Sequence, residues 1–173
     1  SRMVTERCQP SVDALTGLAT GSELELQLGL ALAAWRGTEP GALWVCYVRI
    51  DRFRHLNRWL GFSAGDRALQ ECAKRVTAGR LAHGVSGQPL AARMGGDEFA
   101  FVTVLEDGQC GAGYFAELVR QFREPIELES RAAYLTASVG YTAVDVNGAD
   151  AHTLLQSAAE AAAKARASGG NTV

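Results

Sequence analysis

The chain has 173 residues, of which 47% are hydrophobic and 21% charged, and its formal net charge is −2. This length predicts one domain whose core needs no disulfide or metal, and the composition excludes a disordered chain. Without a basic surplus, nucleic acid and anionic membranes are not expected as partners, so a phosphate-bearing ligand should be small and locally bound.

Cysteine and histidine spacing shows neither a disulfide framework nor a metal motif. The cysteines are scattered without a Cys-x-x-Cys pair, which predicts buried free thiols in a reducing compartment. They are Cys8, Cys46, Cys72 and Cys110. The histidines His55, His83 and His152 lack zinc-type spacing, so a structural metal is not expected.

No apolar run reaches the roughly 18 residues of a membrane span, and no signal peptide opens the chain. A cytoplasmic location is therefore expected, either free or within a larger membrane-associated protein. The start Ser1-Arg2-Met3 resembles a cloning scar. We interpret residues 1–12 as a tag or linker remnant and 13–173 as one domain excised from a multidomain signalling protein.

Two elements are predicted before residue 52. Apolar residues at three- and four-residue intervals predict a helix over 22–35, ended by Gly37 to Gly41. The continuously apolar run 42–50 predicts a strand buried on both faces. Because alternate strand residues share a face, Arg49 and Asp51 should point the same way at its carboxyl end, where polar groups usually face a site.

Hydrophobic periodicity and turn residues define the remaining elements. They are a short helix 53–60, a loop 61–65, a helix 66–78, a hairpin 90–105, a helix 114–123, a long strand 132–144 paired with 126–128, and a final helix capped by Asp150 and running to 167. Helices interspersed with strands, together with one hairpin, predict a mixed sheet covered by helices.

The hairpin carries the clearest functional signal. Gly95 and Gly96 separate two strand-like runs and are followed by Asp97 and Glu98. Glycine lets a phosphate approach the main chain, and carboxylates can hold a divalent cation against that phosphate. In isolation the same residues are also typical of a solvated surface turn.

Four separated segments resemble the GGDEF domain, the catalytic domain of bacterial diguanylate cyclases. They are Asp13-Ala14-Leu15-Thr16-Gly17-Leu18; Ile50-Asp51-x-Phe53-Arg54-x-x-Asn57 with Gly61-x-x-x-Gly65-Asp66-x-x-Leu69; Arg93-x-Gly95-Gly96-Asp97-Glu98-Phe99; and Thr136-Ala137-Ser138-Val139-Gly140. Each segment alone is a weak signal, but their order and spacing together are specific. The resemblance runs from Asp13 to the end of the chain.

The resemblance implies an α+β (α/β) fold, a ferredoxin-like palm with a mostly antiparallel sheet surrounded by helices, as in adenylyl cyclases. In this family each domain binds one GTP. Two domains then meet so that each 3′-hydroxyl attacks the other's α-phosphate, which releases pyrophosphate and forms cyclic di-GMP. Mg²⁺ or Mn²⁺ supplies charge stabilisation. A homodimer is needed for catalysis, and a linked EAL-type phosphodiesterase domain is common.

Carried over by position, the resemblance assigns Asn57 and Asp66 to the guanine edge. Phe53, Arg54 and Arg166 fall at further substrate-binding positions. A carboxylate accepts from the N1 and N2 donors of guanine, while an amide can serve its acceptors. Cap and turn roles are the alternative for Asn57 and Asp66, since both residue types favour helix caps.

The same resemblance places the main chain of Gly95 and Gly96 against the phosphates. Asp97 would ligate a metal, together with the main-chain carbonyl of Ile50, and Glu98 would assist the attacking hydroxyl.

Arg49 is the main departure from the family, which usually has a metal-binding aspartate there. A guanidinium cannot coordinate a cation, and it repels one about 4 Å away by several kcal/mol at an effective dielectric near 20. Three alternatives remain for Arg49: an ion pair with Asp97 or Asp51, a bidentate contact that replaces the metal's charge against the triphosphate, or a structural ion pair without ligand contact.

Other departures weaken the match. Arg58, Phe62, Ala159 and Ala163 replace an acid, a histidine, an aspartate and a tyrosine, and Gly170 replaces a basic residue. The product-inhibition motif Arg-x-x-Asp is replaced by Ser86-Gly87-Gln88-Pro89.

Two hypotheses follow from these substitutions. The first, which we favour, is a catalytically impaired domain that binds GTP, or only dimerises, and regulates a neighbour. The second is an active cyclase. A pure protein-interaction module is a third alternative, and failure to bind guanine nucleotide would indicate it.

Overall fold

The computed structural model describes residues 9–35, 42–145 and 148–173. In chain order, the elements within these residues are β1 (Ala19–Thr20), α1 (Gly21–Ala34), β2 (Ala42–Ile50), α2 (Phe53–Leu60), α3 (Phe62–Thr77), β3 (Ala91–Gly95), β4 (Glu98–Leu105), α4 (Gly111–Phe122), β5 (Ile126–Leu128), β6 (Arg131–Ala133), β7 (Ala137–Ala143) and α5 (Ala151–Ala167). The expected ends of the chain's first helix at Gly37 to Gly41, and Cys8, lie outside the described residues.

A five-stranded sheet forms the centre, with strand order β1-β3-β4-β2-β7. Its pairs are antiparallel except for β1 with β3, which are parallel. Strands β5 and β6 form a separate two-stranded hairpin. The mostly antiparallel, helix-covered sheet expected from the sequence is confirmed.

Helices cover both faces of this sheet because the side chains of β2 alternate. Cys46, Val48 and Ile50 pack into a core with α2, α3 and α4, whereas Val45 and Tyr47 pack into a second core with α1 and α5. The prediction of a strand buried on both faces is therefore confirmed. Cys46 and Cys72 are buried free thiols as expected, but the free thiol of Cys110 is exposed.

Two helices begin earlier than predicted. Helix α3 begins at Phe62 and not at Asp66, so the predicted loop 61–65 is wrong beyond Gly61. Gly61 alone separates α2 from α3, because its φ of 85° ends one helix and a new helix starts at the next residue. Helix α4 begins at Gly111, three residues before the predicted start.

The predicted strand 132–144 is wrong as a single element. It is divided into β6 and β7, and only β6 pairs with β5. The strand is interrupted after β6 because Thr136 is hydrogen-bonded to Asp51. The Thr136 carbonyl accepts from the Asp51 N–H at 2.8 Å, and the Thr136 hydroxyl donates to Oδ2 of Asp51 at 2.7 Å.

Asp51 is a buried carboxylate that joins three parts of the chain. Besides Thr136, it accepts a hydrogen bond from the Ser138 hydroxyl at 2.7 Å and one from the main-chain N–H of Asn171 at 2.8 Å. Three donors compensate the cost of burying this charge. They also hold the C-terminal segment against the ends of β2 and β7.

Helix α5 packs directly on β7 at Gly140. A Cβ built at this position would lie 2.1 Å from the Ala158 carbonyl oxygen and 2.2 Å from the Ala162 nitrogen. No side chain fits, because both contacts are with helix backbone. The capping of α5 by Asp150 is confirmed, since its Oδ1 accepts from the Thr153 N–H at 2.8 Å.

We expect Gly140→Ala to lower the free energy of unfolding by about 3 kcal/mol, because the added methyl forces α5 away from β7. Chemical denaturation measures the change. Gly113→Ala is the matched control: it adds a methyl within α4 where no atom lies within 4 Å, so it should be neutral or stabilise by up to about 1 kcal/mol. Equal effects of the two substitutions would contradict this packing.

We expect Asp51→Ala to cost on the order of 3 kcal/mol of unfolding free energy, because two hydroxyls and one N–H lose their acceptor. Asp51→Asn retains one acceptor oxygen and should cost less. Glu129→Ala breaks only an exposed pair with Arg67 and should change stability by less than about 1 kcal/mol. Denaturation of the three variants checks this order.

Candidate functional site

The hairpin of β3 and β4 presents its glycines to solvent. Gly95 has a φ of 150° and Gly96 a φ of 45°, and no atom lies within 4 Å of a Cβ built at either position. Both residues are exposed. The main chain at this turn is therefore open to close approach by a ligand, as expected from the sequence.

Arg93 fixes this turn to the start of the domain. Its Nε and Nη2 donate to the Gly96 carbonyl at 3.0 and 2.8 Å, and its Nη1 lies 3.3 Å from Oδ1 of Asp13. Burial acts to raise the pKa of Asp13, but hydrogen bonds from Thr16 and the Arg93 charge outweigh it, so the pKa is lowered. A charged Asp13 thus supports the turn through Arg93.

Arg49 contacts Glu98 on the neighbouring strand. The two residues are directly opposed in the β2–β4 register, and Nε of Arg49 lies 2.9 Å from Oε1 of Glu98. The N–H is not aimed at the oxygen, so the contact is an ion pair and not a hydrogen bond. Of the three alternatives for Arg49, the ion pair with Asp97 or Asp51 is wrong, because the register places Glu98 beside it and Asp51 is occupied by three other donors.

The second oxygen of Glu98 is held by Tyr47, whose hydroxyl donates to Oε2 at 2.6 Å. Burial of the phenol, followed by this hydrogen bond and the charge of Glu98, raises the pKa of Tyr47 well above its usual range. Both carboxylate oxygens of Glu98 therefore have protein partners.

Asp97 and Ile50 meet through the main chain, where the Ile50 N–H donates to the Asp97 carbonyl at 3.0 Å. The Asp97 side chain is partly buried in the turn and its charge acts on Tyr47. Within the described part of the chain, no three His, Cys, Asp or Glu side chains form a group able to hold a metal ion. With Arg49 paired to Glu98, this donor set does not fit a tightly bound divalent cation.

The expected guanine readers lie at the contact between α2 and α3. A Cβ at Gly65 would lie 1.8 Å from Oδ1 of Asn57 and 3.3 Å from the ring of Phe53, so only glycine permits this approach. Oδ1 of Asn57 is buried and has no hydrogen-bond partner among the described residues. Asp66 is exposed in the second turn of α3.

The side chains of Asn57 and Asp66 do not cap a helix. Gly61 occupies the position before α3, and the Asn57 main-chain carbonyl, not its side chain, accepts from the Gly61 N–H at 2.9 Å. The cap alternative for Asn57 and Asp66 is therefore wrong.

The arginines that the resemblance assigns to substrate binding lie on different helices. Arg54 is exposed on α2, and Arg166 is exposed in the last turn of α5. Gly170 lies against Asp51, since a Cβ there would be 2.9 Å from Oδ2 of that carboxylate. The position where the family carries a second basic residue is thus packed on the buried acid.

Sequence reasoning missed Tyr47, Thr136 and Ser138. The signal for Tyr47 was its two-residue offset from Arg49, which puts both on one face of β2. The hydroxyls of Thr136 and Ser138 lie in a segment singled out only for its resemblance, and their role depends on pairing with a distant strand.

Comparison with known proteins agrees with the geometry. The model of the family described as "Diguanylate cyclase, GGDEF domain" matches residues 11–172. An uncharacterized protein of Mycobacterium tuberculosis is 30% identical over 93% of this chain and 25% of its own length. The cyclic di-GMP phosphodiesterase NbdA of Pseudomonas aeruginosa is 28% identical over 92% of this chain and 20% of its own. This chain thus spans a fifth to a quarter of the length of these relatives.

Solved structures show the same fold. A sensory box/GGDEF family protein from Caulobacter crescentus superimposes with a TM-score of 0.79 and 28% identity, covering 91% of this chain and 99% of its own. The GGDEF domain of DgcB from the same species, solved in complex with c-di-GMP, gives a TM-score of 0.77 at 23% identity, covering 100% and 96% of the two chains. No described helix is long and apolar enough to cross a membrane. The chain belongs to the diguanylate cyclase GGDEF-domain family of cyclic di-GMP signalling.

Proposed function

We propose that this domain binds GTP in a site of the diguanylate cyclase type, is impaired in catalysis, and regulates a linked domain. The observation that carries the proposal is the ion pair of Arg49 with Glu98 at 2.9 Å. It puts a guanidinium where the family usually has a metal-binding aspartate.

The charge of Arg49 opposes the binding of a divalent cation at this end of the sheet. A guanidinium stays protonated at every physiological pH, so it balances Glu98 permanently. The remaining oxygen of Glu98 accepts from Tyr47. A divalent cation bound by Asp97 would approach a fixed positive charge, and recruiting Glu98 as a further ligand would require displacing both of its partners. The protein's own residues therefore compete with the Mg²⁺ or Mn²⁺ that a cyclase needs.

Nucleotide binding is supported by features on two sides of the site. The main chain of Gly95 and Gly96 is open to a phosphate. Asn57 carries a buried polar atom that has no partner among the described residues, next to the exposed Asp66. An unpaired buried acceptor costs free energy and marks a place where a ligand or a small rearrangement can supply the missing hydrogen bond.

A regulatory role toward a linked domain is supported by the names of relatives. One is a cyclic di-GMP phosphodiesterase, and another, MucR of Pseudomonas aeruginosa, is a bifunctional diguanylate cyclase/cyclic di-GMP phosphodiesterase. Both are several times longer than this chain. A GTP-responsive domain joined to a phosphodiesterase, of the EAL type, is the arrangement we propose.

The second candidate is an active Mg²⁺-dependent cyclase that works as a homodimer and converts two GTP into cyclic di-GMP and pyrophosphate. The unbroken segment Gly95 to Phe99, held in its turn by Arg93, favours it. In that case Asn57 and Asp66 would orient the base, the glycine main chain would hold the phosphates, and the metal would supply charge stabilisation to the attacking hydroxyl.

Calorimetric titration with a non-hydrolysable GTP analogue, with and without Mg²⁺, separates the two candidates. We expect binding that changes less than about threefold with Mg²⁺, because Arg49 already neutralises Glu98. A cyclic di-GMP assay on the same protein should give no product. Strongly Mg²⁺-dependent binding together with product would establish the active enzyme, and absence of binding at millimolar analogue would indicate an interaction module.

Arg49→Asp should raise both Mg²⁺ dependence and cyclase activity, because it removes the guanidinium and restores, in addition to Asp97, the carboxylate that the family usually carries at this position. Arg49→Ala is the matched control, since it removes the guanidinium without adding a ligand. We expect activity to rise at least tenfold in the first variant over the second. No difference between them would mean that further substitutions also block catalysis.

Tyr47→Phe should lower the free energy of unfolding at pH 7 by about 1 kcal/mol through loss of the bond to Glu98. The pKa of Tyr47 is raised in the folded state, so its contribution is complete below the usual value of 10.0 and is lost as the pH rises above it. The difference between the parent chain and the variant should therefore shrink above pH 10. A difference that stays constant there would contradict this assignment.

A further inference from the structure

A groove of about 830 Å³ lies between one face of α2 and the β5–β6 hairpin. Its floor is apolar and is formed by the buried side chains of Leu56, Ala133 and Leu135. Its lining includes none of the candidate-site residues Arg49, Asn57, Asp66, Asp97 and Glu98. Asn57 and the groove residues lie on different faces of α2, so the groove is a separate feature.

The walls of this groove carry positive charge. The charge comes from Arg52 and Arg131, which line the groove together with the imidazole of His55. All three side chains are exposed, and within the described part of the chain none of them has an ion pair or hydrogen bond. The one acid in the lining is Asp51, whose oxygens are taken by three donors. These donors are neutral, so Asp51 keeps its negative charge, and the two arginines leave the lining with a net charge of +1 in a chain of net charge −2.

Two aromatic rings stand at the same groove. Trp59, on α2, is 87% exposed, and Tyr134, directly after β6, is 73% exposed. A large ring left in water next to unpaired arginines offers a stacking surface beside a phosphate-binding charge. Base–aromatic stacking of this kind does not depend on the identity of the base.

The backbone at Arg52 is strained. Its φ of 55° and ψ of 26° lie in the left-handed region, which costs a residue with a Cβ on the order of 1 kcal/mol or more. This conformation links β2 to α2 and places an arginine in the lining of the groove. Such outliers cluster at ligand sites, which is a second, independent observation at the same place.

We infer that this groove binds a phosphorylated ligand with a planar ring, of the nucleotide class, with little selection for the base. The phosphate is bound by Arg52 and Arg131, and the ring stacks on Trp59 or Tyr134. Base selection is weak because stacking does not depend on the identity of the base and two polar groups of the lining already have partners. Thr136 donates to Asp51, and Oδ1 of Asn171 accepts from Nε of Arg123 at 2.9 Å. Mononucleotides and cyclic dinucleotides share this chemistry.

The test is calorimetric titration of the chain with ADP in the absence of Mg²⁺. Adenine does not match the guanine readers proposed for GTP, so ADP reports on the groove. Arg131→Ala should weaken ADP binding at least about tenfold, because one charge-assisted contact to phosphate is lost. Arg131→Lys should retain part of the affinity. Lys74→Ala, which removes a positive charge on α3 away from the groove, should change the affinity less than twofold.

Further titrations identify the ligand and distinguish the groove from the proposed GTP site. GDP should bind the Asp66→Ala variant about as well as ADP does, and cyclic di-GMP tested in parallel shows whether two linked bases bind better than one. Unchanged ADP binding by Arg131→Ala, loss of ADP binding in Asp66→Ala, or no binding of ADP, GDP or cyclic di-GMP at millimolar concentration would each overturn the inference. Failure of the GTP site alone would leave ADP binding intact.

Discussion

The buried carboxylate of Asp51 is the group on which this end of the sheet depends. A charge removed from water is stable in a protein only when donors replace its hydration. Here the donors come from β7, from the segment before β7 and from the main chain after α5. One side chain thus fixes where β2 ends, where β7 begins and where the C-terminal segment lies. It also leaves no free carboxylate oxygen at this position to neutralise Arg49.

The β2–β4 register then decides the electrostatics of the candidate site. Because Arg49 is directly opposite Glu98, the guanidinium finds its counterion on the strand that follows the Gly95-Gly96 turn. Tyr47, two residues earlier on the same face, supplies the second partner of that carboxylate. Where the family usually has an aspartate that binds a metal ion, this chain carries the positive charge of Arg49. This permanent charge next to Glu98 is the physical basis of the impaired catalysis proposed above.

The groove beside α2 shows that the same short helix serves two surfaces. Its face with Asn57 packs on Gly65 of α3, and its face with His55 and Trp59 lines the groove. Helix α2 has only eight residues, and its helical geometry places these side chains on different faces. A ligand in the groove would therefore contact the helix whose other face carries the proposed guanine reader.

The sequence by itself determined the family, the central strands, the hairpin with its open glycines, and the helix capped by Asp150. The family follows from the order and spacing of four separated segments, and the other features depend on local rules, namely periodicity, glycine turns and caps, that act within a few residues. Only the tertiary structure decided the partner of Arg49, the three donors of Asp51, and the division of the segment 132–144 into β6 and β7. Each of these depends on contacts between residues 49 to 120 positions apart, set by strand register and by the burial of a charge. The partner of a charged side chain and the end of a strand cannot be read from neighbouring residues when both depend on pairing across the sheet.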